Sequence, residues 1–375
     1  MASSVSARLP TAKRLVSVAV MLGLAEIAAW TQGVMLLQMP RAADISDFRA
    51  YYVAAWIGIH TGWSRIYDTA EQVRVLHAIW PTAMQVDYIS PPTVAWLVAP
   101  LTVLSPHAAF ALFAALAWAA MLAASQFAAP PGRWNRFAFA LLVLGMLPAA
   151  ATVVYGQVSG FVLLSVAASW RLLDTEHDGW AGVVLAGIAF KPHLAALVPV
   201  ALLVAGRWRA LGAFVAAAAV LGGVAVLLVG VPGLEQMVRL DASYSYDPSQ
   251  RAWALSAMVG GGPVGLGVQA LVVAAALAPA LRRGGSAGPV LAAAVCGSLL
   301  ANVYLHGVDL VLYMLPIWVA LREPGVRLRV LAALLWLSLD VAIIYPWVTV
   351  LAAAAMLAGF AIPSRFAARL GLDRA

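Results

Sequence analysis

Charge is what this sequence has least of: Asp, Glu, Lys and Arg make up 10% of its 375 residues, against roughly 25% in soluble domains. So few charges cannot cover a surface that faces water. With 63% hydrophobic residues and a mean hydropathy of +0.91, a soluble globular protein is excluded. Cysteine is nearly absent. Cys296 stands alone in an apolar run, which rules out an internal disulfide or a thiolate metal cluster. There is no zinc spacing, no phosphate-cradling glycine loop and no basic stripe interleaved with aromatics. No cluster of oxygen ligands suits an octahedral cation. No metal, no cofactor and no nucleic acid is therefore expected, although the formal charge is +7.

The basic residues sit in short loops between apolar runs: Lys13 and Arg14, Arg207 and Arg209, Arg282 and Arg283, and Arg322, Arg327 and Arg329. That placement sets orientation in a membrane and implies no polyanionic partner. The first apolar run, 15–37, follows Lys13-Arg14 but exceeds the roughly 7–15 residues of a signal h-region, so it reads as a retained span.

The fold expected is all-α, a polytopic membrane bundle of about twelve transmembrane helices. Spans fall near 15–37, 91–104, 107–128, 136–154, 157–173, 179–204, 207–231, 254–281, 288–304, 308–321, 327–344 and 347–362. Residues 1–375 form one integral membrane domain, with a first outer loop at 39–90 and a second at 232–253. Arg207/Arg209, Arg282/Arg283, Arg322–Arg329 and the Arg365/Arg369 tail fall inside. Two topologies remain open in the middle. If 179–204 crosses once, Arg133 and Arg136 lie outside. If it bends at Lys191-Pro192 and 91–128 crosses once, they return inside. Both versions put both termini inside.

What charge there is concentrates in 39–90. That stretch holds five of the sixteen acidic residues (Asp44, Asp47, Asp68, Glu71 and Asp87) with Arg41, Arg49, Arg65, Arg74, His60 and His77. Within it, Phe48–Ile59 and Thr69–Trp80 carry apolar residues at helical spacing and read as helices along the outer interface, joined by Thr61-Gly62.

Charge in or beside a bilayer is costly and usually functional. Asp47 opens Asp-Phe-Arg-Ala-Tyr-Tyr just beyond the first span. Its carboxylate can accept a proton from a hydroxyl at a cavity mouth, or it can cap a helix or pair with Arg49. Lys191, in Phe-Lys-Pro-His beside His193, can hold a lipid phosphate or a developing phosphate leaving group. Otherwise it pairs with Glu26. In Leu-His-Gly-Val-Asp, which holds His306 and Asp309, the His306 imidazole can contact a phosphate or sugar hydroxyl, or be a core or interfacial histidine with satisfied hydrogen bonds. Gln157, after Tyr155-Gly156, can contact sugar or cap a broken helix. Asp340 reads as a structural partner. Arg251 and Tyr244-Ser245-Tyr246-Asp247 occupy the second outer loop, where rings can stack on an acceptor.

Taken in order, these motifs resemble the membrane glycosyltransferases of family 87, which have the GT-C architecture and include polyprenyl-phosphate-mannose-dependent mannosyltransferases. The matching residues are Asp47-Phe48-Arg49-Ala50-Tyr51-Tyr52 with Ala54-Ala55, Gly62, Ile66-Tyr67-Asp68, Ser90-Pro91-Pro92 and Ala99-Pro100-Leu101. Gly156-Gln157, Gly187 to Lys191-Pro192, Arg207-Trp208-Arg209-Ala210 and His306-Gly307-Val308-Asp309 follow. Ser90 stands where the family usually has an aromatic residue. The resemblance spans roughly 15–322.

It implies an inverting hexosyltransferase of the cell membrane, with its active site on the periplasmic or extracellular face. Such an enzyme moves one sugar, mannose by family weight, from a polyprenyl-phosphate donor to a lipid or glycan acceptor. Asp47 corresponds to the catalytic aspartate and His306 to an active-site histidine, while Lys191, Gln157, Arg251, Tyr51 and Asp309 are the candidate substrate contacts. One carboxylate with scattered cations suits transfer from a phosphate leaving group, which needs no acid to protonate it. The rival reading is a flippase or transporter of lipid-linked sugar, which predicts repeated halves with matching broken helices. The chain shows no such repeat.

Overall fold

A computed structural model describes residues 11–245, 253–260, 262–282, 285–303 and 305–362. Among them there is helix and no strand. Apolar sequence of this density buries its backbone polar groups, and only helices satisfy those groups within one segment.

The chain opens with α1 (Thr11–Ile45). α1 continues past Met39, so the first polar segment begins later than expected. α2 (Phe48–His60) and α3 (Thr69–Ile79) follow where helical spacing placed them. Asp68 caps α3 by accepting from the Glu71 N–H at 3.1 Å. α2 departs from expectation in its surroundings: Phe48 to Ala55, Ile57 and Gly58 are all buried. It is the centre of a second apolar cluster, with Tyr67, Tyr88, Val94 and Phe113 around it, and does not lie along a surface.

α4 (Pro92–Val98) and the 3-10 turn Ala99–Val103 pack against α2, with the Tyr52 hydroxyl donating to Leu104 O at 2.9 Å. The stretch near 91–104 thus stays at the Asp47 end. α5 (Pro106–Ala128) starts at that end, where His107 meets Asp44 at 3.3 Å, and finishes at the other, where Arg322 donates to Ala128 O. α6 (Arg133–Leu144) and α7 (Leu147–Val154) return as a pair bent by 64°. Buried polar groups satisfy the break. Thr31 Oγ1 donates to Gly145 O, Gln32 to Leu144 O, and the Leu147 N–H donates to Asp340 at 2.8 Å. Asp340 is the structural partner the sequence suggested.

α8 (Ser159–Asp174) runs back to the Arg322 end, where Asp174 and Arg322 pair at 3.7 Å. Next come α9 (Asp178–Leu185), the turns Ala186–Phe190 and Pro192–Ala195, and α10 (Leu197–Val204). Asp178 and Arg207, at either end of this segment, pair at 3.5 Å. The segment therefore doubles back at Lys191-Pro192, as the second of the two open topologies has it, and Arg133 and Arg136 lie at the same end as Arg207 and Arg322. Close packing permits the hairpin. A Cβ on Gly187 would lie 2.0 Å from Ser165 Oγ, and one on Gly182 would lie 2.0 Å from Ala210 O.

α11 (Trp208–Ser245) kinks at Gly230, whose φ of 78° favours glycine. Its last turns lie over the Asp47 end and fill much of the stretch expected as the second outer loop. α12 (Leu255–Val259), α13 (Gly262–Leu277), α14 (Ala287–Ala301), α15 (Met314–Arg322), α16 (Val326–Val341) and α17 (Pro346–Ala361) complete the bundle. The segments Val16–Ile45, Pro106–Ala128, Trp208–Ser243 and Gly262–Leu281 are each long and apolar enough to cross a membrane, and the bent α6–α7 pair makes a fifth. The protein is a membrane protein, while twelve spans are not confirmed.

Candidate active site

The site forms where three chain breaks meet. Asp47 sits between α1 and α2 at the N-cap position, yet its side chain caps nothing. It makes no ion pair among the described residues, and the Arg49 Nε–H donates instead to Ser46 O at 3.2 Å. Neither structural alternative for Asp47 is realised. Its carboxylate Oδ2 accepts from Gln157 Nε2.

The turn Tyr155-Gly156-Gln157 supplies that amide. It is clamped to α2: the Asp47 N–H donates to Tyr155 O at 3.1 Å. Gly156 has φ +63°, and a Cβ there would lie 2.6 Å from the Phe48 Cβ, so glycine is required twice over. Gln157 is 5% exposed. Its Oε1 accepts from Tyr51 OH and from Lys191 Nζ, each at 3.2 Å.

The apex of the 178–206 hairpin supplies Lys191. Pro192 has no N–H to continue a helix, and the break aims the lysine inward. Its Nζ donates to Asp309 Oδ1 at 2.6 Å. Asp309 is fully buried and also accepts from Ser159 Oγ at 2.6 Å and from the His306 N–H at 3.3 Å. Glu26, the other partner considered for Lys191, lies exposed on α1.

Asp47, Tyr51, Gln157, Lys191, His193 and His306 line one cavity of about 340 Å3. Met237, Val238 and Asp241 from the last turns of α11 face them, and Val86, Asp87, Ile89 and Ser90 complete the wall. A larger hollow, about 640 Å3, lies at the opposite end around Trp180, Arg207 and Arg209. It is an open recess in which Asp178 and Arg207 neutralise each other. The smaller, more enclosed cavity is where the polar network converges.

Burial pushes the Asp47 carboxyl above the ordinary aspartate range, opposed by Lys191, His306, the Gln157 amide and Arg49. Burial, reinforced by Lys191, pushes the His306 imidazole down, against the pull of Asp309 and Asp47. The cavity thus holds a carboxylate of raised basicity beside a fixed ammonium and an imidazole that favours its neutral form.

Five of the seven candidate residues, Asp47, Tyr51, Gln157, Lys191 and His306, line this cavity. Asp309 does not reach it; it stands behind Lys191. Arg251 lies outside the described residues, as do Tyr246 and Asp247. Ser159, Asp87 and Asp241 were not singled out. Ser159 is one of several small polar residues in α8, and only the fold puts it against Asp309. Among the described residues no group of three His, Cys, Asp or Glu is arranged to hold a metal ion.

The family model for glycosyltransferase family 87 matches residues 88–305, more than half of the chain. The chain belongs to glycosyltransferase family 87. It is therefore a glycosyltransferase as well as a membrane protein. No curated protein and no solved structure matches it. The family 87 match takes in Gln157 and Lys191. Asp47 precedes it and His306 follows it by one residue, and both join that stretch through the hydrogen bonds and the shared cavity described above.

Proposed function

We propose that this family 87 enzyme transfers one hexose, mannose in the first instance, from a polyprenyl-phosphate donor to a hydroxyl of a lipid or glycan acceptor, with inversion. Asp47 is the general base. The observation that carries this reading is the single cavity in which Asp47 stands beside Lys191 and His306.

The acceptor hydroxyl attacks the anomeric carbon and gives its proton to Asp47. The new glycosidic C–O bond forms as the bond from the anomeric carbon to the phosphate oxygen breaks, and the electron pair leaves on the polyprenyl phosphate. Gln157 occupies Asp47 Oδ2, which leaves Oδ1 for the incoming proton. A base whose affinity for protons is raised toward working pH serves better than an ordinary aspartate.

Lys191 has three N–H donors. Two go to Asp309 and Gln157, and the third is available to a phosphate oxygen. His306 adds a donor near the same charge, stabilising the leaving group electrostatically. Met237, Val238, Val86 and Ile89 give the cavity an apolar wall that suits an isoprenoid chain. A non-cytoplasmic site is supported by the arginines at the opposite end of the bundle, following the positive-inside rule.

The test is incubation of the purified protein with a panel of polyprenyl-phosphate sugars and a lipid extract of the source cells. One donor is expected to give up its sugar to an extract component. Movement of donor lipid between liposome leaflets without any transfer would overturn the reading in favour of a flippase.

A further inference from the structure

The side-chain amide of Gln157 makes three hydrogen bonds, all to protein side chains. Nε2 donates to Asp47 Oδ2, while Oε1 accepts from Lys191 Nζ and Tyr51 OH. Its orientation is fixed by chemistry. Turned over, the amide would present N–H groups to an ammonium and a phenol, and an oxygen to a carboxylate. The ammonium would then face donors and the carboxylate an acceptor, two mismatches, while the phenol alone could adapt by accepting.

The amide also stands between two charges that would otherwise pair directly. Asp47 and Lys191 both line the cavity, yet Lys191 forms its ion pair with Asp309, and none joins it to Asp47. A direct pair would occupy the carboxylate oxygens and lower their basicity. It would also take the ammonium away from the place where a phosphate must be met.

We infer that Gln157 is a positioning residue, an insulating bridge that holds Asp47 and Lys191 apart and in register, and that it is not a sugar contact. This rests on the proposed role of Asp47 and explains how one cavity keeps an anionic base and a cation in separate service. Tyr51 belongs to the same device, because its hydroxyl donates to Oε1 of Gln157. The turn geometry fits this role: Gly156 allows the closest approach of the 155–157 turn to α2, and the Asp47 N–H to Tyr155 O bond anchors it at 3.1 Å.

The experiment compares wild type with Gln157→Glu and Gln157→Leu in kcat, in KM for a polyprenyl-phosphate mannose donor, and in the pH dependence of kcat. Glutamate puts a second carboxylate against Asp47 and gives Lys191 a competing charge. Leucine removes the bridge at similar size. For Gln157→Glu a loss of about 10²-fold in kcat is expected, as for other misplacements of reacting groups by about 1 Å. The acid limb should move to higher pH and KM should stay within a few-fold. Gln157→Leu should move the limb the opposite way, to lower pH, because Asp47 and Lys191 can then pair directly, and it carries the test if the glutamate variant does not fold.

A rise in KM with kcat and acid limb unchanged would make Gln157 a substrate contact and overturn the inference. So would a lower yield of folded protein with both unchanged. If wild type transfers no sugar, the proposed function fails separately. Infrared titration of the Asp47 carboxyl, isolated as a difference against Asp47→Asn, then decides. A midpoint displaced upward in Gln157→Glu supports the bridge, and an unchanged midpoint overturns it.

Discussion

Replacing Lys191 with Met strands a carboxylate that has nowhere to go. Asp309 is fully buried, and its ammonium partner lies 2.6 Å away with 14% of the lysine side chain exposed. At an effective dielectric constant of about 20 the attraction over that distance is roughly 6 kcal/mol. Dehydrating the two ions costs several kcal/mol each and largely cancels it. The pair as a whole therefore adds little to stability, whereas losing one member costs about 3–5 kcal/mol. Ser159 Oγ and the His306 N–H still donate to Asp309, which places Lys191→Met near the lower end, at about 3 kcal/mol. Removing both charges in Lys191→Met/Asp309→Asn should recover most of that loss while leaving the enzyme inactive. The sole cysteine provides the assay. Cys296 is fully buried, so a fluorogenic maleimide labels it only on unfolding, and labelling against temperature ranks the variants. A native unfolding temperature for Lys191→Met would refute the reasoning. So would losses in the double variant that simply add.

The remaining predictions concern the Asp47 end. The proposed base, Asp47, would act in its ionised form, and its pKa is raised by burial. Activity should therefore fall, as pH decreases, at a higher pH than an ordinary aspartate would impose. A pH–rate profile whose acid limb sits at the ordinary aspartate value contradicts this. Gly156→Ala forces a Cβ onto Phe48 at 2.6 Å from a φ of +63°. It should cost about 2–4 kcal/mol from overpacking and the left-handed backbone together, read by the same thiol labelling, and native stability would contradict that.

Much of this architecture was legible. The helical spacing of Phe48–Ile59 and Thr69–Trp80 located α2 and α3 within a residue. The Lys191-Pro192 dipeptide marked the break on which the site is built. The direction of the hairpin was not legible, because an apolar run over 179–204 is long enough either to cross or to double back, and the deciding contact, Asp178 with Arg207, joins residues 29 apart. The helical extent of 232–245 was hidden by its polarity. Glu235, Arg239 and Asp241 read as loop, yet Glu235 and Arg239 sit one helical turn apart and pair at 3.6 Å. The stretch near 91–104 read as a span for a related reason: hydropathy cannot distinguish the short helix after Ser90-Pro91, which stays at one end, from a crossing helix. The burial of Asp309 behind Lys191 was not legible, because it depends on α8 and the 307–313 turn meeting, which no local pattern records.

The most direct measurement is the sugar-transfer rate of purified Asp47→Asn beside wild type, each shown folded by a shielded Cys296. Loss of a general base predicts a fall of about 10²–10⁴-fold with the unfolding temperature preserved. Transfer by Asp47→Asn at the native rate would contradict the assignment of Asp47 as the base.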